Sequence, residues 1–169
     1  MKFYIRTDKF TTSFKNPGEM NIGDTFQFIA KKYADKDTTQ FIGNTYAYYR
    51  VLEVTKISDK VFDTVCYSNR QLVFDSKGMI MTSGISNQRI TLDDNSNITN
   101  LQFIKNNMIA NTGTGEFEGM KGTYTPKTIS PNYYEATIDT TNNNMLSNVM
   151  ISLLALYILY TLYNSNKKA

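Results

Sequence analysis

Asn111-Thr112-Gly113-Thr114-Gly115-Glu116-Phe117-Glu118-Gly119-Met120-Lys121-Gly122-Thr123-Tyr124 packs four glycines into the ten positions from Gly113 to Gly122. Phosphate chemistry does not fit this stretch. A P-loop needs Lys followed by Ser or Thr and then a helix, and neither follows. A dinucleotide fingerprint also needs a helix after its glycines, whereas Thr123-Tyr124 opens a strand-like run. Glycines at this density suit a tight turn between strands, where backbones approach closely or take positive φ. The stretch therefore reads as a turn at one end of a small barrel, with the Phe117 ring plugging that end.

Working outward, β-branched and aromatic runs alternate with turn chemistry along residues 1–139. The expected strands are Lys2–Thr7, Thr25–Lys31, Gly43–Lys56, Val61–Tyr67, Gln71–Phe74, Met79–Ile85, Leu101–Asn111, Gly119–Thr125 and Tyr133–Asp139. Period-two alternation shows in Phe26/Phe28, in Ala47/Tyr49/Val51, and in Ile80/Thr82 against Met79/Met81. Asn16-Pro17-Gly18, Asp35-Lys36-Asp37, Ser58-Asp59-Lys60, Ser68-Asn69, Asp75-Ser76-Lys77-Gly78 and Asp93-Asp94-Asn95-Ser96-Asn97 read as turns. No long amphipathic helical pattern precedes Met145. Many short antiparallel strands point to an all-β sandwich or closed barrel, and closure removes exposed edges.

The pattern Gly-Thr-Gly-x-Phe-x-Gly-x-x-Gly, here Gly113, Thr114, Gly115, Phe117, Gly119 and Gly122, resembles the signature of the allene oxide cyclase and dirigent barrel superfamily. Companion segments follow in the family's order over about residues 20–139. These are Ile22-Gly23-Asp24-Thr25-Phe26, Phe41-Ile42-Gly43-Asn44-Thr45, Phe62-Asp63-Thr64-Val65-Cys66, Leu72-Val73-Phe74, Gly78-Met79-Ile80, Ser83-Gly84, Met108-Ile109-Ala110 and Tyr133-Tyr134. The resemblance implies a closed eight-stranded antiparallel barrel with an apolar interior. The plant cyclases use a Glu and an Asn on the first strand and a Cys on the third. Here Phe3-Tyr4-Ile5-Arg6-Thr7-Asp8 has no Glu, the third-strand position falls at about Tyr49, and Cys66 lies on another strand. The dirigent pattern places acids and aromatics in the cavity, which makes Asp8, Asp24 and Asp63 the carboxylates to locate. The fold carries over better than the chemistry.

Composition excludes whole mechanisms. The chain of 169 residues has no His and one Cys, so imidazole acid–base chemistry, His-activated nucleophiles, an intramolecular disulfide framework and Cys-rich metal sites are absent from its repertoire. Cys66 reads as a buried small hydrophobe. Net charge is +3, and setting aside Lys167 and Lys168 leaves 16 cationic against 15 acidic residues. A body so close to neutral gives no footprint for a nucleic-acid backbone. Asp93–Asn97 is oxygen-rich but lacks the terminal Glu of a calcium loop, so a solvated turn is expected. No catalytic residue, cofactor or metal is expected.

The C-terminal segment differs from the rest. No charged residue occurs from Thr140 to Asn166. Met145–Tyr163 is apolar on all faces and as a helix rises about 28 Å, close to a bilayer's hydrocarbon thickness. Tyr157, Tyr160 and Tyr163 cluster near its end, with Lys167 and Lys168 beyond, as at a membrane interface. Met1–Asp8 does not read as a signal peptide, its apolar run being short and broken by charges. The expected layout is a β-barrel over 1–139, a polar linker over 140–144, a single transmembrane helix over 145–163 and a polar basic tail over 164–169, with the barrel on the cytosolic side.

Two functions follow. The first is a membrane-tethered, non-enzymatic structural or docking barrel, with lipid and capsid or membrane proteins as partners. The Asn-, Ile- and Lys-rich composition of an AT-rich genome suits a minor virion component of a large DNA virus. The second is a cyclase- or dirigent-like enzyme or carrier holding a small apolar ligand. Against the second, the Phe and Tyr residues, with Met79, Met81, Met108 and Met120, are enough to fill the interior.

Overall fold

The computed structural model describes residues 1–140, and every side chain among them except that of Asp8. The expected segments beyond Thr140, with Tyr157, Tyr160, Tyr163, Lys167 and Lys168, lie outside the described residues. Eight strands run in chain order: β1 (Lys2–Ser13), β2 (Thr25–Tyr33), β3 (Phe41–Ser58), β4 (Val61–Phe74), β5 (Gly78–Leu92), β6 (Ile98–Gly113), β7 (Gly122–Ser130) and β8 (Tyr133–Thr140). A 3-10 turn, η1 (Gly115–Phe117), lies between β6 and β7. Each strand pairs antiparallel with the next, and β8 pairs with β1, closing the barrel. Closure also brings the Met1 amino group to the Ile138 carbonyl at 2.7 Å across 137 residues of chain.

Alternation sets which residues face inward. β2 buries Phe26, Phe28, Ala30 and Lys32; β3 buries Thr45, Ala47, Tyr49 and Val51; β8 buries Tyr134, Ala136 and Ile138. The aromatic packing is direct: Phe26 stacks on Tyr49 with centroids 4.6 Å apart. Met108 is buried and Met120 packs partly against the core, while Met79 and Met81 take the face opposite the buried Ile80 and Thr82.

The strand boundaries depart from the sequence reading in instructive places. Val61–Tyr67 and Gln71–Phe74 are one continuous strand, and Ser68-Asn69 is its middle rather than a turn. Ser68 pairs with Tyr49 and Asn69 with Tyr48, so the ladder to β3 is unbroken there. Ser68 and Arg70 keep the inward phase of Cys66 and Leu72, and their polarity alone imitates a turn. β1 continues past Thr7 to Ser13 through a bulge between Thr7 and Lys9, a device that lets a barrel strand bend. β5 and β6 likewise outrun Met79–Ile85 and Leu101–Asn111. Gly119 stands in the loop after η1, and β7 begins only at Gly122.

The glycine stretch forms the turn between β6 and β7. A Cβ on Gly113 would meet the Phe117 carbonyl oxygen at 2.1 Å, so only glycine lets η1 fold back onto β6. Gly119 has φ +73, which favours glycine for a different reason. Phe117 is thereby laid against Phe74 at 4.8 Å, and Phe74 against Phe3 at 5.6 Å, closing this end of the barrel. The opposite end is crossed by a strap, residues 14–24, which buries Met20. The Asp24 carboxylate pins it by accepting the Lys15 N–H at 3.0 Å and the Asn21 N–H at 2.7 Å. The Gly18 N–H reaches Ser96 Oγ across the mouth.

The wall is uneven. β3 and β4 share fourteen residue pairs. β6 and β7 share three, Met108–Ala110 with Gly122–Tyr124. Beyond them Pro126 has no N–H to give. Side chains bridge the gap: the Phe103 N–H donates to Thr128 Oγ1 at 2.9 Å and Asn106 Nδ2 to the Pro126 carbonyl at 3.3 Å.

Candidate functional site

The lumen is not uniformly apolar. Inward positions of β3, β4 and β5 carry Thr45, Thr64, Ser68, Arg70, Thr82, Ser86 and Gln88, all buried. Some of these groups satisfy one another. Ser68 and Ser86 share a hydrogen bond of 2.6 Å, and Gln88 Nε2 donates to Ser86 Oγ at 2.7 Å. Cys66 Sγ contacts Thr64 Oγ1 at 3.5 Å. Thr45 Oγ1, Thr82 Oγ1 and Gln88 Oε1 have no hydrogen-bond partner, and Tyr49 Oη, Tyr124 Oη and Nε and Nη2 of Arg70 close no well-formed hydrogen bond, although the two hydroxyls lie near enough to the guanidinium to interact with it.

Arg70 is the centre of this belt. It is 1% exposed, and its register partners are Ala47 on one side and Thr82 on the other. Small residues flank it, which is what admits so long a side chain. Its Cζ lies over three rings, Phe103 at 4.8 Å, Tyr124 at 4.9 Å and Tyr49 at 5.4 Å. A guanidinium keeps its proton even when buried. Burial pushes the hydroxyls of Tyr49, Tyr124 and Tyr134 above the ordinary tyrosine range, so they are neutral and supply no counter-charge. No carboxylate pairs with Arg70 among the described residues.

A second lumenal cation lies toward the η1 end. Lys32, opposite Ile5 and Gly43, has its Nζ 3.3 Å from the centroid of Phe74 and 5.7 Å from that of Phe3. Its Nζ has no hydrogen-bond partner. Burial pushes its pKa down to about 7, against a smaller upward pull from Asp75.

The acids singled out by sequence are not in the lumen. Asp24 is buried, but in the strap, with its oxygens on backbone N–H groups. Asp63 lies on the outer wall, in a two-pronged pair with Arg89 at 2.7 and 2.8 Å. The side chain of Asp8 falls outside the described residues. Tyr49 does face the lumen, on β3, and Cys66 faces it from β4, the neighbouring strand, where burial pushes the thiol up to about 11. Gly113, Thr114, Gly115 and Phe117 gather around η1 with Gly119 in the loop after it, whereas Gly122 opens β7 opposite Ala110, itself opposite Thr82 of the Arg70 belt. The sequence reading put Thr82 in phase with Ile80 but missed Arg70, Lys32 and Gln88. The signal that could have found them was phase: Arg70 falls in step with Cys66 and Leu72, and Lys32 with Phe26, Phe28 and Ala30.

No family model matches the chain, and no curated protein matches it. Among solved structures, the chain is similar to that of a pyocyanin demethylase, with a TM-score of 0.55 at 20% identity, covering 82% of this chain and 98% of that one. At this identity the likeness concerns the fold. It shows a small closed barrel and does not single out the allene oxide cyclase or dirigent type of barrel.

Proposed function

We propose that the chain is a binding barrel, a non-catalytic and membrane-tethered carrier that holds one small molecule in its lumen. The observation behind this reading is Arg70, a charged group wholly buried without a counter-charge. Leaving such a cation unpaired costs several kcal/mol, and contacts with rings return about 2 kcal/mol. A bound ligand supplies the rest. Turnover finds less support. The lumen holds no carboxylate among the described residues, its thiol is held protonated, and the chain has no histidine. Demethylation of pyocyanin is the business of the similar protein, and a shared barrel does not transfer a reaction.

The test is extraction. Full-length protein is purified in mild detergent, weighed by native mass spectrometry, then denatured and its small molecules identified. One molecule per chain, lost on unfolding, is the expected result. An empty barrel whose melting temperature no library compound raises would overturn the reading.

The tether rests on the uncharged, apolar run from Met145 to Tyr163. It places the barrel on the cytosolic face of a membrane and, in a virus with an internal membrane, between that membrane and the capsid. Alkaline carbonate washing checks it. The protein stays with the pellet and leaves only with detergent; release by carbonate overturns the tether and leaves the barrel untouched.

A further inference from the structure

We propose that the lumen seats its ligand by a carboxylate on the free edge of Arg70, and that the rest of the ligand is a flat conjugated or aromatic body. This rests on the reading of the chain as a binding barrel, and it names the chemistry of what is bound.

The two orphaned nitrogens of Arg70 are Nε and Nη2. They share one edge of the guanidinium and point their N–H groups in parallel, the fork that matches two carboxylate oxygens. The rings of Phe103, Tyr124 and Tyr49 lie about the guanidinium, and the neutral hydroxyls of Tyr49 and Tyr124 lie near enough to interact with it, but neither closes a well-formed hydrogen bond with Nε or Nη2. Beside Arg70 stand three more orphaned oxygens, Thr82 Oγ1 across the ladder and the hydroxyls of Tyr49 and Tyr124 on the rings. All three are neutral O–H groups able to donate. A carboxylate only accepts, so it takes the fork and the hydroxyls together. A neutral amide would bring its own N–H groups against the fork. One cation at this point calls for one negative charge. Lys32 is no second anchor for the same group: its Nζ lies against Phe74, which stands four residues, about 13 Å of backbone, along β4 from Arg70. The aromatic walls favour a flat, π-rich ligand body.

The way in is the thin part of the wall. β6 and β7 share only three residue pairs, and Phe103, on that stretch of β6, is half-buried while its ring lies over Arg70.

The experiment uses full-length protein in detergent, titrated calorimetrically with trans-cinnamate and with its neutral isostere cinnamamide. Cinnamate binds, and the amide binds about tenfold or more weakly, as expected when a charged hydrogen bond is lost. Arg70→Met abolishes the preference, and Arg70→Lys, which keeps the charge without the fork, retains only part of it. Equal binding of acid and amide, unmoved by Arg70→Met, overturns the carboxylate seat and leaves the binding barrel standing. So does extraction from the purified protein of a ligand without a carboxylate. Failure of both probes, together with no extractable small molecule, overturns both readings. Should Arg70→Met not fold, an acid-over-amide ratio unchanged in Arg70→Lys overturns the seat by itself.

Discussion

Replacing Lys32 by Met should stabilise the protein, and by an amount that depends on pH. Lys32 is wholly buried, with its Nζ over the Phe74 ring and no hydrogen-bond acceptor. Burial holds its pKa at about 7, against 10.5 in the unfolded chain. Between those values the unfolded chain carries a proton that the folded one does not, so wild-type stability rises with pH through this window. Below about pH 7 both states are protonated and the full cost is present; above 10.5 neither is, and the cost is gone. Each pH unit contributes about 1.4 kcal/mol, giving a ceiling of about 5 kcal/mol. Met keeps the length of the side chain and removes the titration. Urea unfolding of the full chain, wild type against Lys32→Met, should show the variant more stable at pH 6, with the gap narrowing by up to about 5 kcal/mol between pH 7 and pH 10.5. A gap that stays constant across that range would refute the reasoning, because a merely steric effect does not titrate.

Two glycines of the β6–β7 turn should respond differently to the same substitution. Gly113→Ala drives a methyl into the Phe117 carbonyl and should cost about 3 kcal/mol. Gly119→Ala has open space around it and a φ of +73, and should cost about 1 kcal/mol in urea titrations. Asp24→Ala removes the acceptor of two strap N–H groups; a loss of about 2 kcal/mol is expected, with faster amide exchange at Asn21 and Lys15. Cys66, buried with its thiol pushed up to about 11, should ignore thiol reagents at pH 8 and react once urea is added. Labelling of the native protein at the speed of a free thiol would contradict its placement in the lumen.

The barrel was legible wherever apolar residues carried the alternation. Phe26 and Phe28, Ala47 with Tyr49 and Val51, and Ile80 all face where period two puts them. It became illegible where inward positions are polar. Ser68-Asn69 has the residue types of a turn, and only its phase against Cys66 and Leu72 marks it as strand. The same ambiguity hid Arg70 and Lys32. A charged residue in an alternating strand is ordinarily on the solvent face, and nothing local distinguishes an inward cation from an outward one except counting from its neighbours. The dirigent resemblance points to carboxylates in the cavity, and Asp63 shows why residue type alone misplaces them: its odd-numbered position puts it on the outside, beside Arg89.

The hoop closes between the two most distant parts of the barrel's sequence, and that has a consequence for the nascent chain. Strands β2 to β6 can pair with neighbours as each is made, but β1 gains its second neighbour only when residues 133–140 arrive. Throughout synthesis, then, one margin of a growing sheet is open to any passing strand. Lys2 and Arg6 sit on that margin, opposite the future places of Thr137 and Tyr133. Positive charge on an open margin discourages sticking to other chains, so the meander carries its own guard until its last partner exists.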